Sequence, residues 1–209
     1  MIRPGSPYGE PAVPPEDVLE VWSDTEASSA VAVARVAGLD PPSLLLRGGD
    51  LHRTLGGRGS TSGRDPRNGP APEPLGIEVP IDLGVLLVDG EIWYFVAHVA
   101  IRRPLWSGPF AVAMNAQWYE GLDLGPRSHP GDGLLDITEG RLDARQRFAA
   151  RVRARSGSHL PHPDLRTSRR RTATIEFDRQ VPVHVDGRRR LRARRVSVSV
   201  EPQALTVYL

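Results

Sequence analysis

The candidate chemical groups of this chain are carboxylates, histidines and arginines. Cysteine is absent, which excludes disulfides, thiolate metal sites and a cysteine nucleophile. All 27 of its Lys-or-Arg positions are Arg, so a Walker-type lysine, a Schiff base and a catalytic amine are excluded too. Two aspartates stand where helices are expected to begin. Asp50 follows Gly48 and Gly49 and precedes the helical turn LHRTL. There, backbone N–H groups can receive an anion and glycines let it come close; N-capping by Asp50 is the plainer reading of the same residues. Asp24, ahead of TEASSAVAVARVA, carries the same two readings. His159 and His162 (HLPH) suggest a metal pair, but no further His or Cys ligand lies near in sequence. His98 falls in an apolar run and reads as a packed core histidine.

The elements that position these residues follow from pattern. The 209 residues fit one domain or two small ones. No apolar run reaches the ~20 residues of a membrane span, and the start has no secretory h-region, so a cytoplasmic protein is expected. Residues 1–16, rich in Pro, read as a tail. Residues 17–57 read strand–helix–strand–helix: DVLEVW, a helix over Thr25–Ala37 capped by Asp24 or Thr25 and stopped at Gly38, a strand at Ser43–Leu46, then LHRTL. Residues 58–76, beginning RGSTSGRDPRNGPAPEP, read as a linker. Beyond them, Ile77–Val88 and Glu91–Arg102 flank Asp89-Gly90, a strong hairpin signal. Strands are expected at Phe110–Gln117, Gly133–Thr138, Ala173–Phe177, Val181–Val185, Val196–Val200 and Ala204–Leu209. A second Asp-Gly turn stands at Asp186-Gly187, and an amphipathic helix at Arg141–Arg153. The fold class expected is α+β: a C-terminal antiparallel β-sandwich over 77–209 with a small N-terminal α/β segment.

Charge is split along the chain. Residues 1–140 hold 10 Arg against 19 acids, and residues 141–209 hold 17 Arg against 6 acids. Either the basic half meets an anionic partner or the two halves face each other. The runs Arg151–Arg155, Arg166–Arg171 and Arg188–Arg195 suit an anionic lipid surface, a solvated face or pairing with the acidic half. Aromatics are 6% and are not interleaved with the Arg runs, so nucleic acid is not expected.

Several segments resemble, in order, the diacylglycerol kinase and sphingolipid kinase family, which includes bacterial lipid kinases and is distantly similar to NAD kinases. Met114-Asn115-Ala116, Trp118-Tyr119 and GLDLGPRSHPGDGLLDI are similar to its Asn strand, glycine turn and "PxAxPxDGxLD". HLPHPDLRTSRRRTATIEFDRQVPVHVDG is similar to its "HP-x-V…A-x-x-V-x-I…P-x-x-V-D-G-E". LLRGGDLHRTLG resembles its "G-T-G-N-D-F-A-R-x-L-G", and Val21-Trp22-Ser23-Asp24-Thr25 falls where it has "G-G-D-G-T".

The resemblance implies that residues 17–57 are a truncated nucleotide-binding unit. Asp24 and Asp50 would be its catalytic acids, and Gly48, Gly49, Asp50 and Asn115 would face the nucleotide cleft. Asp132, with the carbonyls of His129 and Leu134, would hold a structural Mg²⁺; the plainer reading is an Asp-Gly turn. Against that pattern, the phosphate-loop glycines are replaced around Trp22, Gly49 stands in place of an Asn, and Arg188 stands where the family has its general base. A guanidinium cannot accept a proton at working pH, and losing a general base costs ~10²–10⁴ in rate. The expectation is therefore a degenerate lipid-kinase relative, a pseudoenzyme binding a lipid or phosphate ligand or regulating a partner subunit. The alternative is an active ATP-dependent lipid kinase with a rebuilt site, or one shared in a homo-oligomer. ATP enters only in that case, and peripheral membrane contact fits both.

Overall fold

The structure, a computed structural model, describes residues 9–57 and 76–209. The expected linker lies outside these residues except for Gly76, which opens a strand, and residues 1–8 of the expected tail also lie outside. The tail reading fails at Glu10–Ala12. These residues form strand β1, antiparallel to Gly76–Glu78.

The strand–helix–strand–helix order is present as β2 (Leu19–Val21), α1 (Asp24–Val36), β3 (Leu44–Leu46) and α2 (Gly49–Thr54). Strands β2 and β3 pair in parallel. Two caps differ from expectation. Ser23, not Asp24 or Thr25, is the N-cap of α1, its Oγ accepting from the Glu26 amide at 3.3 Å. Gly48, not Asp50, is the N-cap residue of α2, and it has no side chain with which to cap. Both differences leave Asp24 and Asp50 free for other partners.

The second part consists of β4 (Gly76–Val88), β5 (Glu91–Phe95), β6 (His98–Ile101), β7 (Pro109–Met114), β8 (Trp118–Tyr119), β9 (Leu122–Asp123), β10 (Leu135–Arg141), α3 (Ala144–Arg153), β11 (Leu165–Arg170), β12 (Thr172–Val185) and β13 (Arg188–Tyr208). The main sheet runs β1-β4-β13-β12-β6-β7-β10-β11, antiparallel throughout. β3 joins it by pairing in parallel with the end of β13, Val207 opposite Leu44. The α/β segment is thus hydrogen-bonded into the sandwich.

Both Asp-Gly hairpins are present. Asp89 and Gly90 have φ of 50° and 87°, and Asp186 and Gly187 have 47° and 81°, the pair of positive values a two-residue type I′ turn requires. Strands expected as separate pieces are continuous. β12 shifts register between Glu176 and Val181, and β13 shifts against β4 between Glu201 and Leu205, where Gln203 has φ 51°. The β13 bend lets that strand serve two cores, with Val196 and Val198 in one and Leu205 and Val207 in the other. One core gathers Leu86, Phe95, Ile101, Ile137, Val183 and Val198; the other gathers Val21, Leu44, Leu51, Ile81, Leu83 and Val207. The expected run Glu91–Arg102 is instead broken at Val96-Ala97. The basic run at 165–170, not expected as a strand, is edge strand β11.

Asp82 ties this framework together. It is fully buried, and its carboxylate accepts from the Gly133 amide at 2.6 Å and the Gln203 amide at 2.9 Å, fixing the 129–134 loop against the β13 irregularity. Burial pushes its carboxyl above the usual range. Asp82→Ala orphans both amides, at ~1–3 kcal/mol each. It is expected to lower the unfolding free energy by about 3 kcal/mol in urea denaturation, and a loss under about 1 kcal/mol would contradict this role.

Candidate functional site

Four titratable side chains meet where α1 and α2 dock on the sandwich. Asp24 begins α1, Asp50 lies in the first turn of α2, His98 opens β6 and Asp186 sits in the β12–β13 turn. With Ser23 already capping α1, the Asp24 carboxylate crosses to α2. It accepts from the Asp50 amide at 2.7 Å and the Leu51 amide at 3.1 Å. Two of the N-terminal donors of α2 are therefore met by a side chain of α1.

The glycines serve this packing. A Cβ on Gly49 would run into the Asp24 carboxylate, and Gly49 has φ +99°. A Cβ on Gly48 would lie 2.6 Å from the Trp22 carbonyl oxygen. Trp22 itself is 61% exposed, its amide bonded to the Glu26 carboxylate at 2.7 Å.

Asp186 explains the break at Val96-Ala97. Its buried carboxylate accepts from the amides of Val96, Ala97 and His98 at 3.0–3.1 Å. Its carbonyl accepts from Thr25 Oγ1 at 2.7 Å, binding the start of α1 to the sandwich. His98 is buried as expected, packed on Tyr119 with ring centroids 4.5 Å apart. It is also engaged: Nε2 meets Asp50 Oδ2 at 3.1 Å, while Nδ1 is buried with no partner among the described residues. Asp50 Oδ2 also accepts from the Glu120 amide at 2.8 Å.

Burial, then the neighbouring Asp186, pushes Asp24 up to about 7. Burial likewise raises Asp186. Burial opposes ionisation of Asp50, but the His98 hydrogen bond and the Glu120 amide outweigh it and hold its carboxyl below the usual range. Burial opposes charging of His98, but Asp50 and the nearby Asp186 and Asp24 prevail and raise it. Asp50 and His98 thus form an ion pair beside two carboxyls whose ionisation burial opposes. The ligand atoms of Asp24, Asp50 and His98 lie within 4.8 Å of one another. Each Asp24 oxygen already accepts one amide, which leaves it one lone pair to offer a cation.

The other expected site residues lie elsewhere. Asn115 does not line a cleft. It is fully buried, and its Nδ2 donates to the Asp82 and Val96 carbonyls at 2.9 and 2.8 Å. Asp132 receives the Arg169 guanidinium on one oxygen and the Leu134 amide at 2.9 Å on the other. Arg169 also reaches Asp136 at 3.0 Å. The His129 carbonyl accepts from the Gly131 amide at 2.8 Å. These residues do not fit a cation, since a guanidinium already supplies the positive charge. Arg188 is exposed at the start of β13. His162 Nδ1 accepts the Asp164 amide at 3.1 Å, while His159 turns inward.

His159 lines the second feature, an apolar cavity of about 390 Å³ beneath α3. Trp106, Phe110, Val112, Leu124 and Leu142 form its walls, with Arg147 and Arg151 at its edge. His159 Nδ1 has no partner among the described residues, and burial lowers the imidazole's pKa. A volume of this size falls within the range of small-molecule sites.

These elements define an antiparallel β-sandwich protein with an appended α/β unit. Residues 87–209 match the family described as the YegS C-terminal NAD kinase beta sandwich-like domain. That is more than half of the chain, and the chain belongs to this family. No curated protein matches it. Three solved structures from Bacillus anthracis str. Sterne share the fold, one named a diacylglycerol kinase and two named as candidate diacylglycerol kinases. They are 16%, 15% and 14% identical, with TM-scores of 0.62, 0.62 and 0.64. Each similarity covers 91% of this chain and 75–77% of the other. The chain is lipid-kinase-like in fold, as its motifs imply.

The seam has a pH signature. Asp24 ionises near 3.8 when unfolded and near 7 when folded, so its contribution is present in acid and is lost as pH rises between those values. Asn mimics the neutral form. The wild-type advantage over Asp24→Asn is expected to shrink by about 2–4 kcal/mol between pH 4.5 and pH 8 in paired denaturation curves. A constant difference would show that Asp24 stays charged throughout.

Proposed function

We propose that this protein is a lipid-binding member of the lipid-kinase-like family in which phosphoryl transfer has been given up. The ligand's apolar chain occupies the cavity beneath α3. The observation that carries the reading is the Asp24 carboxylate on the α2 amides. An incoming phosphate needs those donors, and a resident carboxylate both occupies and repels. Gly48 and Gly49, which the family pattern assigns to phosphate approach, are here consumed by contacts with Trp22 and Asp24. The residue at the general-base position is an exposed arginine. The cavity supports the lipid half of the reading: it is apolar, buried by the sheet, and ringed by a few polar groups, Arg147, Arg151 and His159.

A second reading, an active ATP-dependent lipid kinase, is favoured by the convergence of Asp24, Asp50 and His98 and by an Asp24 carboxyl near 7, the range of a general base. In that reading the acids would hold a divalent cation, whose chemistry is to neutralise phosphate charge.

Two measurements on the purified chain decide between them. A fluorescent long-chain fatty acid is expected to bind, to be displaced by diacylglycerol, and to lose most of its affinity in Ala150→Trp, which fills the cavity. Labelled ATP with Mg²⁺ and diacylglycerol vesicles is expected to give no transfer. Transfer abolished by Asp24→Ala or Asp50→Ala would overturn the proposal in favour of the active kinase.

A further inference from the structure

We infer that α3 is a membrane-docking helix that lays Phe148 and Val152, with Leu105 beside them, into an anionic bilayer while its arginines bind the headgroups. This goes beyond the lipid-binding reading and can fail separately from it, because the cavity could fill from solution without any docking.

The helix is well formed. Asp143 caps it in a capping box with Gln146, each side chain bonded to the other's backbone amide at 2.8 Å. Yet none of its residues is buried. Phe148 and Val152, one turn apart on a single ridge, are 74% and 51% exposed. Leu105, on the cavity's other lip, is 85% exposed. Leu105 and Trp106 both have left-handed backbones, φ 54° and 56°, a conformation costing ~1–3 kcal/mol at a non-glycine residue. In this bend Trp106 packs edge-on against Phe110 and Tyr119 while Leu105 is left in water.

Charge specifies the partner. Arg145, Arg147, Arg151, Arg153 and Arg155 flank the ridge, with no acid between Ala144 and Ser156. Among the described residues none of the five makes an ion pair. Of the 17 arginines after residue 140, only Arg169 and Arg195 do so among the described residues. Among the described residues, Arg169 alone of these arginines pairs with acids of the first half, so little of the positive charge is neutralised there. A basic helix with an exposed apolar ridge matches an interfacial helix on anionic lipid. A second copy docking by the same face would set arginines against arginines. No helix among the described residues is long and apolar enough to cross a membrane. The cavity mouth beside Phe148 would then open onto the bilayer.

Vesicle co-sedimentation of the full chain tests this. Vesicles of equal parts phosphatidylcholine and phosphatidylglycerol are expected to bind at least about tenfold more protein than phosphatidylcholine alone. Phe148→Glu, and separately Arg151→Glu with Arg153→Glu, should each lower that binding about tenfold. Both alter exposed side chains, and circular dichroism confirms folding. The tryptophan introduced by Phe148→Trp should shift its emission to the blue only with the anionic vesicles. Undiminished binding by Phe148→Glu, or an emission spectrum of the Phe148→Trp variant that anionic vesicles leave unshifted, would overturn the inference. So would a wild type that ignores vesicles and instead self-associates in a manner Phe148→Glu abolishes.

Discussion

A carboxylate buried at a helix start must find donors, and in this protein the donors of one helix satisfy the acid of another. Ser23 caps α1 and frees Asp24 to cap α2. Asp186, two strands away, spends its carboxylate on the bend at Val96–His98 and its carbonyl on Thr25. The Asp50–His98 pair closes the seam between them. Each group is costly to bury and tolerated only in the presence of the others, since an unmatched buried polar group costs more than a matched one gains. The small α/β segment is too short to bury a core alone. It is held by this seam and by the pairing of β3 with β13.

The same internal pairing separates this chain from what its motifs imply. The glycines, the two aspartates and the helix start that a phosphate-binding loop uses are present, but they are turned on one another. The loop where the resemblance expects a cation carries Arg169 on Asp132 and Asp136. In both places an internal charge stands where the resemblance implies an external one. Among the described residues, the cavity under α3 and the ridge beside it stay open and apolar.

Much of the fold was legible in the sequence for local reasons. Asp-Gly between apolar runs needs two positive φ values, and both hairpins follow. Helix α1 is announced by its alanines and valines and its Gly38 stop. What was not legible depends on distant partners. Ser23, Asp24 and Thr25 are all able to cap, and only the position of α2 decides which one does. Asp186 satisfied its local role as a turn residue, so nothing in the sequence pointed to its buried carboxylate or to the bend it holds. His98 read correctly as core but gave no sign of Asp50. Strand β11 has few apolar residues to show a period, and β12 and β13 read as fragments because Asp178-Arg179-Gln180 and Pro202-Gln203 look like turns. The cavity was invisible because α3 shows its apolar ridge in sequence without showing that the ridge stays uncovered.

Amide hydrogen exchange under native conditions tests the seam most directly. If the Asp24 carboxylate closes α2 against the sandwich, the Leu51 amide should exchange as slowly as the Val96 and Ala97 amides held by Asp186, all three opening with global unfolding. A Leu51 amide that exchanges orders of magnitude faster, while Val96 and Ala97 stay protected, would mean that Asp24 leaves α2 open to an outside anion and that the closed site does not exist in solution.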